Sequence, residues 1–343
     1  NHQKYHVDSG NKLVAKAYEQ TTCILGASDI LLDSMLFSLP APQILNGCGG
    51  SAEKLVASMD SMEDMMHLFY QHKGLNDSAE DLVDQVPKAH LNIRYQRMFA
   101  GAFMYAAGNH IGIEWGSAPG MVSSPGVVYA ADGKYVSGWN FGWGIAHEIG
   151  HDINQGAYAI AETTNNYFAV LAQAKDTNDS VRFRYEEVYK KVTSGTQGPA
   201  SNVFTQLGMY WQLHLAYDKG YNYKTYEDYN QQLANLFFAR VDTYARTPSK
   251  APGTLTLSGG TDQVLMRLAC AAAGKNILEF FERWGKVPDE DTVKYASQFE
   301  RETRAIFYAC DEARVYSLTG KGSMLGTDGR TEAVADGVTA AIS

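Results

Sequence analysis

Basic residues are sparse in this chain: 29 lysines and arginines stand against 38 aspartates and glutamates in 343 residues, a formal net charge of -9. No run of lysine or arginine concentrates them, which argues against a nucleic-acid-binding surface. Cysteine is rarer still. Cys23, Cys48, Cys270 and Cys310 lie far apart and none has CxxC spacing, so a zinc ribbon or a redox dithiol is excluded. Two readings remain for them: bridges Cys23–Cys48 and Cys270–Cys310, or four buried thiols. No stretch reaches the roughly 18 consecutive apolar residues of a membrane-spanning helix. Internal repeats, heptad arrays and low-complexity tracts are missing as well. The chain opens on Asn1, and no charged segment followed by an apolar one comes after it. The expectation is a processed chain or a domain of a longer protein.

What is present is enough to build a large core. Hydrophobic residues make up 45% and charged residues 20% of the chain, which fits one large catalytic unit with subdomains, or two domains. Apolar residues three and four apart predict helices over residues 12–37 and 51–72. From Leu91 to Trp115 the composition turns aromatic and β-branched with local alternation, and Gly126 to Trp139 reads as two short strands around an Asp132-Gly133 turn. A small twisted sheet follows from these. Beyond Phe141 nearly every segment has helical periodicity, interrupted by breakers such as "SGTQGPAS" and "TPSKAPGTLTLSGG". The division expected is a helical segment over 1–90, a sheet with the motif helices over 91–176, and a helical subdomain over 177–343.

The segment "GWGIAHEIGHDINQGAYAIAETTNN", from Gly142 to Asn166, carries the chemistry. On a helix His147 and His151 are one turn apart on one face, so both imidazoles can reach one cation at about 2.0–2.1 Å. Glu148 adjoins the first histidine, placed to take a proton from water at the open metal position without being a ligand. A third ligand is required from a second helix, and after Gly156 breaks the first, the next segment presents Glu162. The chain has nine histidines, and the chance expectation for an HExxH match is about 0.01. An ordinary helix with two surface histidines is therefore a poor account. Asn166, four residues after Glu162, is expected either to accept a hydrogen bond from a ligand imidazole or to bond locally.

HExxH followed by a glutamate on the next helix resembles the gluzincin metallopeptidases. The fuller pattern, "GWGIAHEIGH" with "AETTNN", is similar to the enhancin-like family, and "GAFMYAAGNHIGI" and "GMYWQLHLAYD" look like its recurrent segments. The resemblance spans about Leu91 to Asp218. It implies an α+β, zincin-like fold and one Zn²⁺ held by His147, His151 and Glu162, with Glu148 as general base and acid. It also implies a secreted or cell-surface endopeptidase acting on O-glycosylated, mucin-type proteins. Two rivals stand beside this: a zinc endo- or aminopeptidase indifferent to glycans, and a non-catalytic glycan adhesion module.

Gluzincins bind extended substrate along an edge strand, which makes Gly108, Asn109, His110 and Ile111 cleft candidates, with a core role for His110 as the alternative. Trp139 and Trp143 flank the start of the motif helix and either stack on sugar or pack in the core. Tyr210 or His214, on a segment that also scans as an ordinary amphipathic helix, could donate to the oxyanion. Arg94 and Arg97 either pair with acidic sugars or are structural partners of carboxylates.

Overall fold

The computed structural model describes residues 26–98, 101–123, 128–129, 135–136, 143–175, 183–219, 226–310, 332–335 and 338–341. Part of the region expected to be the first helix is instead extended: β1 (Ala27–Leu31) and β2 (Met35–Pro40) form an antiparallel pair. Met35, Phe37 and Leu39 alternate along β2 and are wholly buried, so a period of two decides the element although its leucines and methionines also suit a helix. Residues 12–25 lie outside the described part of the chain.

Three further strands complete this sheet: β3 (Leu91–Tyr95), β4 (Met104–Ala107) and β5 (His110–Ile113). The order is β1-β2-β3-β5-β4, with β2, β3 and β5 mutually parallel and the outer pairings antiparallel. Parallel pairing of β2 with β3 needs a long connection, which contains α1 (Ala41–Cys48) and α2 (Ala52–His72). The second of these matches the helix read from residues 51–72. Met59, Met62, Met66 and Phe69 give α2 a buried stripe at helical spacing.

The edge next to β5 is β4. A turn at Gly108–Asn109, where Gly108 takes φ 69°, folds β4 outside β5, so β5 is hydrogen-bonded on both sides. The expectation that "GNHIGI" forms the open edge is corrected accordingly. Gly112 makes room at this seam for the ring of Tyr105, its partner across the pair, from which a Cβ would lie 2.2 Å.

A two-stranded ribbon of β6 (Val128–Tyr129) and β7 (Tyr135–Val136) occupies the region read as a hairpin; its turn lies outside the described residues. Helices then dominate: α3 (Trp143–Ile153), α4 (Asn166–Lys175), α5 (Tyr185–Thr193), α6 (Val203–Tyr217), α7 (Tyr229–Asn235), α8 (Phe237–Arg246), α9 (Thr261–Ala273), α10 (Leu278–Arg283) and α11 (Glu290–Ala296). Helical periodicity runs well beyond Asp291 in the sequence, but α11 ends at Ala296. A last ribbon pairs β8 (Glu332–Ala335) with β9 (Val338–Ala341).

The chain forms two compact units of interleaved segments. The first comprises Asn1–Leu68, Pro87–Asn154 and Phe168–Ser180, and the second Phe69–Val86, Gln155–Tyr167 and Val181–Ser343. In the first, α3 packs on β4 and β5. Gly144 makes the close approach possible, since even a Cβ there would stand 3.3 Å from Met104 Sδ. The second unit has an aromatic core in which the wholly buried Trp284 donates to Gln212 Oε1 at 3.0 Å, while Gln212 Nε2 donates to the Phe307 carbonyl at 2.6 Å. Buried polar atoms are thereby satisfied within the apolar packing.

Cys48 and Cys270 are buried free thiols, so neither the Cys23–Cys48 nor the Cys270–Cys310 bridge is formed; Cys23 lies outside the described residues. Burial pushes the Cys270 thiol up to about 12, which makes it unreactive. No helix among the described residues is long and apolar enough to cross a membrane.

Candidate metal centre

Helix α3 brings His147, Glu148 and His151 together, with one potential ligand atom from each lying within 4.8 Å of the others. Its apolar residues Trp143, Ile145, Ala146, Ile149 and Gly150 are buried, which leaves the three polar side chains half-buried on the remaining face. The two Nε2 atoms stand 3.2 Å apart with the rings nearly perpendicular, at 88°. That separation is close to the edge of a tetrahedron around a cation with bonds of about 2.0–2.1 Å. A nitrogen-rich donor set with a carboxylate beside it fits zinc.

Asp152, which the sequence reading passed over, follows His151 directly. Burial first, and then the Glu148 carboxylate, push its carboxyl up to about 7. Its Oδ2 is buried without a hydrogen-bond partner among the described residues. An acidic residue after the second histidine was the only sequence signal of this group.

Glu162 belongs to the second unit. The helix expected to carry it begins later, at Asn166, and Glu162 sits exposed in the preceding turn with φ 62°. Thr164 closes that turn on Ile160 through its hydroxyl, a local bond that competes with helix formation. The side chain of Asn166 donates from Nδ2 to the Glu162 carbonyl at 2.6 Å, a local bond.

The substrate-side candidates are placed as follows. Gly108 and Asn109 are exposed in the β4–β5 turn, whereas Ile111 is buried in the sheet core. Arg94 Nη2 lies 2.9 Å from His110 Nε2, and the Tyr105 hydroxyl 3.2 Å from the same nitrogen. Burial and then the Arg94 charge hold His110 below the usual imidazole range, which leaves it neutral as the acceptor for Arg94. The structural partner of Arg94 is thus an imidazole rather than a carboxylate. Trp143 is buried at the start of α3, as the core alternative of its two readings has it. Trp139 lies outside the described residues.

Tyr210 and His214, considered as oxyanion donors, are core residues of the second unit, at 1% and 2% exposure. Burial raises the Tyr210 phenol well above its ordinary value. His214 Nδ1 is 2.7 Å from Asp218 Oδ2 and 3.3 Å from the Tyr167 hydroxyl, which in turn is 2.8 Å from His72 Nδ1. Asp218 Oδ1 also accepts the Phe237 N–H at 2.8 Å, at the start of α8. The geometry of His72, His214 and Asp218 would also suit a cation; within the fold itself His214 is joined to Asp218 and Tyr167 to His72. Burial alone would raise the Asp218 carboxyl; His214, His72 and the Phe237 amide outweigh it and hold it below the ordinary value. A depressed folded pKa contributes stability that is present above the ordinary aspartate pKa of about 3.9 and is lost as pH falls through the lower folded value. Replacing Asp218 by alanine is expected to destabilise the protein by about 3 kcal/mol at pH 7, the scale of breaking a buried pair. Urea unfolding at pH 7 and pH 3 measures it, and a deficit that does not shrink at the lower pH counts against the ionic origin.

The sequence pattern described as Peptidase M60, enhancin and enhancin-like matches residues 29–285, a span that runs from β1 to just beyond α10. The chain belongs to this family. The M60 assignment agrees with the resemblance read from "GWGIAHEIGH", and it implies a metal-dependent peptidase. No curated protein matches the sequence. Among solved structures, the catalytic module of the metalloprotease ZmpA from Clostridium perfringens is similar at TM-score 0.64 and 18% identity, over 91% of this chain and 57% of that one. The M60 catalytic domain of Clostridium perfringens ZmpC, solved in complex with the sialyl T antigen, is similar at TM-score 0.64 and 19% identity, over 90% and 56%. A conserved protein of unknown function from Bacillus anthracis follows at TM-score 0.61 and 17% identity, over 83% and 54%. At these identities the likeness is one of fold, a mixed architecture with a small five-stranded sheet and many helices. The chain spans little more than half the length of these relatives.

Proposed function

We propose that this M60 chain is the catalytic part of a secreted zinc endopeptidase that hydrolyses peptide bonds in O-glycosylated, mucin-type proteins. The cut is N-terminal to a glycosylated serine or threonine. The observation that carries the hydrolytic part is the convergence of His147 and His151, Nε2 to Nε2 at 3.2 Å, with Glu148 beside them. His147 and His151 hold the zinc, and Glu162 supplies the third ligand on the strength of the motif. Zinc bound there supplies Lewis-acid activation of water and polarisation of the scissile carbonyl. Glu148 takes the proton of the attacking water and returns it to the leaving amine, so no acyl-enzyme forms. Strand β4, the sheet edge among the described residues, on which α3 packs, is suited to bind extended substrate backbone by strand addition. Gly108 and Asn109 lie at its end.

The glycan requirement is supported by the sialyl T antigen bound to the similar ZmpC domain. A glycan-indifferent peptidase draws support from two features of this chain: Trp143 is buried, and Arg94 is engaged by His110. A matched pair of peptides, one carrying a single O-linked GalNAc and one bare, separates the readings. If sugar binding helps to position the scissile bond, kcat/KM falls when the sugar is removed, and mass spectrometry places the cut before the glycosylated residue. Equal rates with the same cut in both would favour the glycan-indifferent enzyme. No cleavage of either by zinc-loaded protein would favour the adhesion module.

A further inference from the structure

Among the described residues Glu162 is the one non-glycine with positive φ. An L side chain in the left-handed region is strained, and such strain persists where the surroundings over-determine it. Here they do so from both sides. The Ile160 N–H donates to Thr164 Oγ1 at 3.0 Å, and the Thr164 hydroxyl donates back to the Ile160 carbonyl at 3.1 Å. The Thr163 and Thr164 N–H groups reach the same carbonyl, at 3.1 and 2.9 Å. On the other side Asn166 Nδ2 donates to the carbonyl of Glu162 itself, and the Asn166 N–H to the Thr163 carbonyl at 3.2 Å. Thr163, Thr164, Asn165 and Asn166 are no more than 3% exposed, whereas the Glu162 they present is exposed. A glycine would adopt this turn without steric cost. A buried frame that forces a glutamate into it instead has the character of a device for delivering a carboxylate.

We infer that Thr164 and Asn166 are positioning residues: by clamping the backbone on either side of Glu162 they fix the left-handed conformation from which its carboxylate would ligate the metal, before the metal arrives. The inference rests on the reading of Glu162 as third zinc ligand. It gives the local bond of Asn166 a purpose distinct from accepting a hydrogen bond from a ligand imidazole, since the side chain acts on the backbone of the ligand. Loss of either clamp frees the strained residue to relax to negative φ, so zinc binding would have to restore the conformation.

The test compares zinc dissociation constants, by chelator competition, for the wild type, Glu162→Gln, Thr164→Val, Thr164→Ser and Asn166→Ala, with the melting temperature of each metal-free protein. Thr164→Val and Asn166→Ala are expected to weaken zinc binding by about 10- to 100-fold, the scale for groups that orient a ligand. Thr164→Ser, which keeps the hydroxyl, should restore it. If the two clamp variants bind zinc as the wild type does while Glu162→Gln has lost it, the positioning role is overturned and the ligand reading stands. Wild-type affinity in Glu162→Gln overturns both. The strain has its own readout at an exposed position that should tolerate change: metal-free Glu162→Gly should melt above metal-free Glu162→Ala, and the opposite order overturns the inference even if a clamp variant fails to fold.

Discussion

Replacing Glu148 by alanine will leave the zinc in place and lower turnover by about 10²- to 10⁴-fold, the range for loss of a positioned general base. The expectation follows from where the residue sits on α3. His147 and His151 share a face of the helix and direct their Nε2 atoms at one another, whereas Glu148 adjoins them one position along the chain. A carboxylate in that place can receive a proton from water at the open metal position. It is not needed to hold the metal. Zinc content by elemental analysis and peptide hydrolysis on the same preparation check both halves, and near-normal turnover in zinc-loaded Glu148→Ala would place the base elsewhere. Burial and the Glu148 charge keep the Asp152 carboxyl high, so removing Glu148 also relieves a like-charge contact on this helix. The variant should therefore be no less stable than the wild type in the metal-free state, which separates a catalytic defect from an unfolded one.

His151→Ala is expected to have the larger consequence, because it removes a ligand rather than the base. Purified protein should carry about one zinc per chain, and the variant close to none after dialysis, with hydrolysis lost together with the metal. The 3.2 Å separation of the two imidazole nitrogens is the basis: with one gone, the helix retains a single nitrogen donor and an adjacent carboxylate. Removing zinc from the wild type with a chelator should abolish hydrolysis, and adding zinc back should restore it in the wild type and not in the variant. Hydrolysis by wild-type protein that holds no metal would overturn the metal assignment altogether.

The local chemistry of α3 was legible in the sequence because it depends on one helix alone. Residues four apart on a helix share a face whatever the rest of the chain does, so His147 and His151 meet as their spacing requires. The same locality explains why the helices around Met59–Phe69 and Thr261–Ala273 followed from periodicity. Three other features depended on partners that the sequence does not name. Residues 27–40 became strands because β2 found β3 beside it, Met35 pairing with Leu91, and tertiary pairing outweighed a composition that also suits a helix. The open edge passed from the "HIGI" segment to Met104–Ala107 because strand order is a property of the whole sheet, and the Gly108–Asn109 turn folds β4 to the outside. Trp143, Tyr210 and His214 carry polar or stacking groups that would serve a substrate well, yet each is buried, and burial is decided by what packs against a side chain rather than by its type. Glu162 shows the same division within six residues: its place after the HExxH helix was written in the chain, but its left-handed backbone arises from the hydroxyl of Thr164 and the amide of Asn166 closing on a turn, a balance of local hydrogen bonds against helical ones that only the folded backbone resolves.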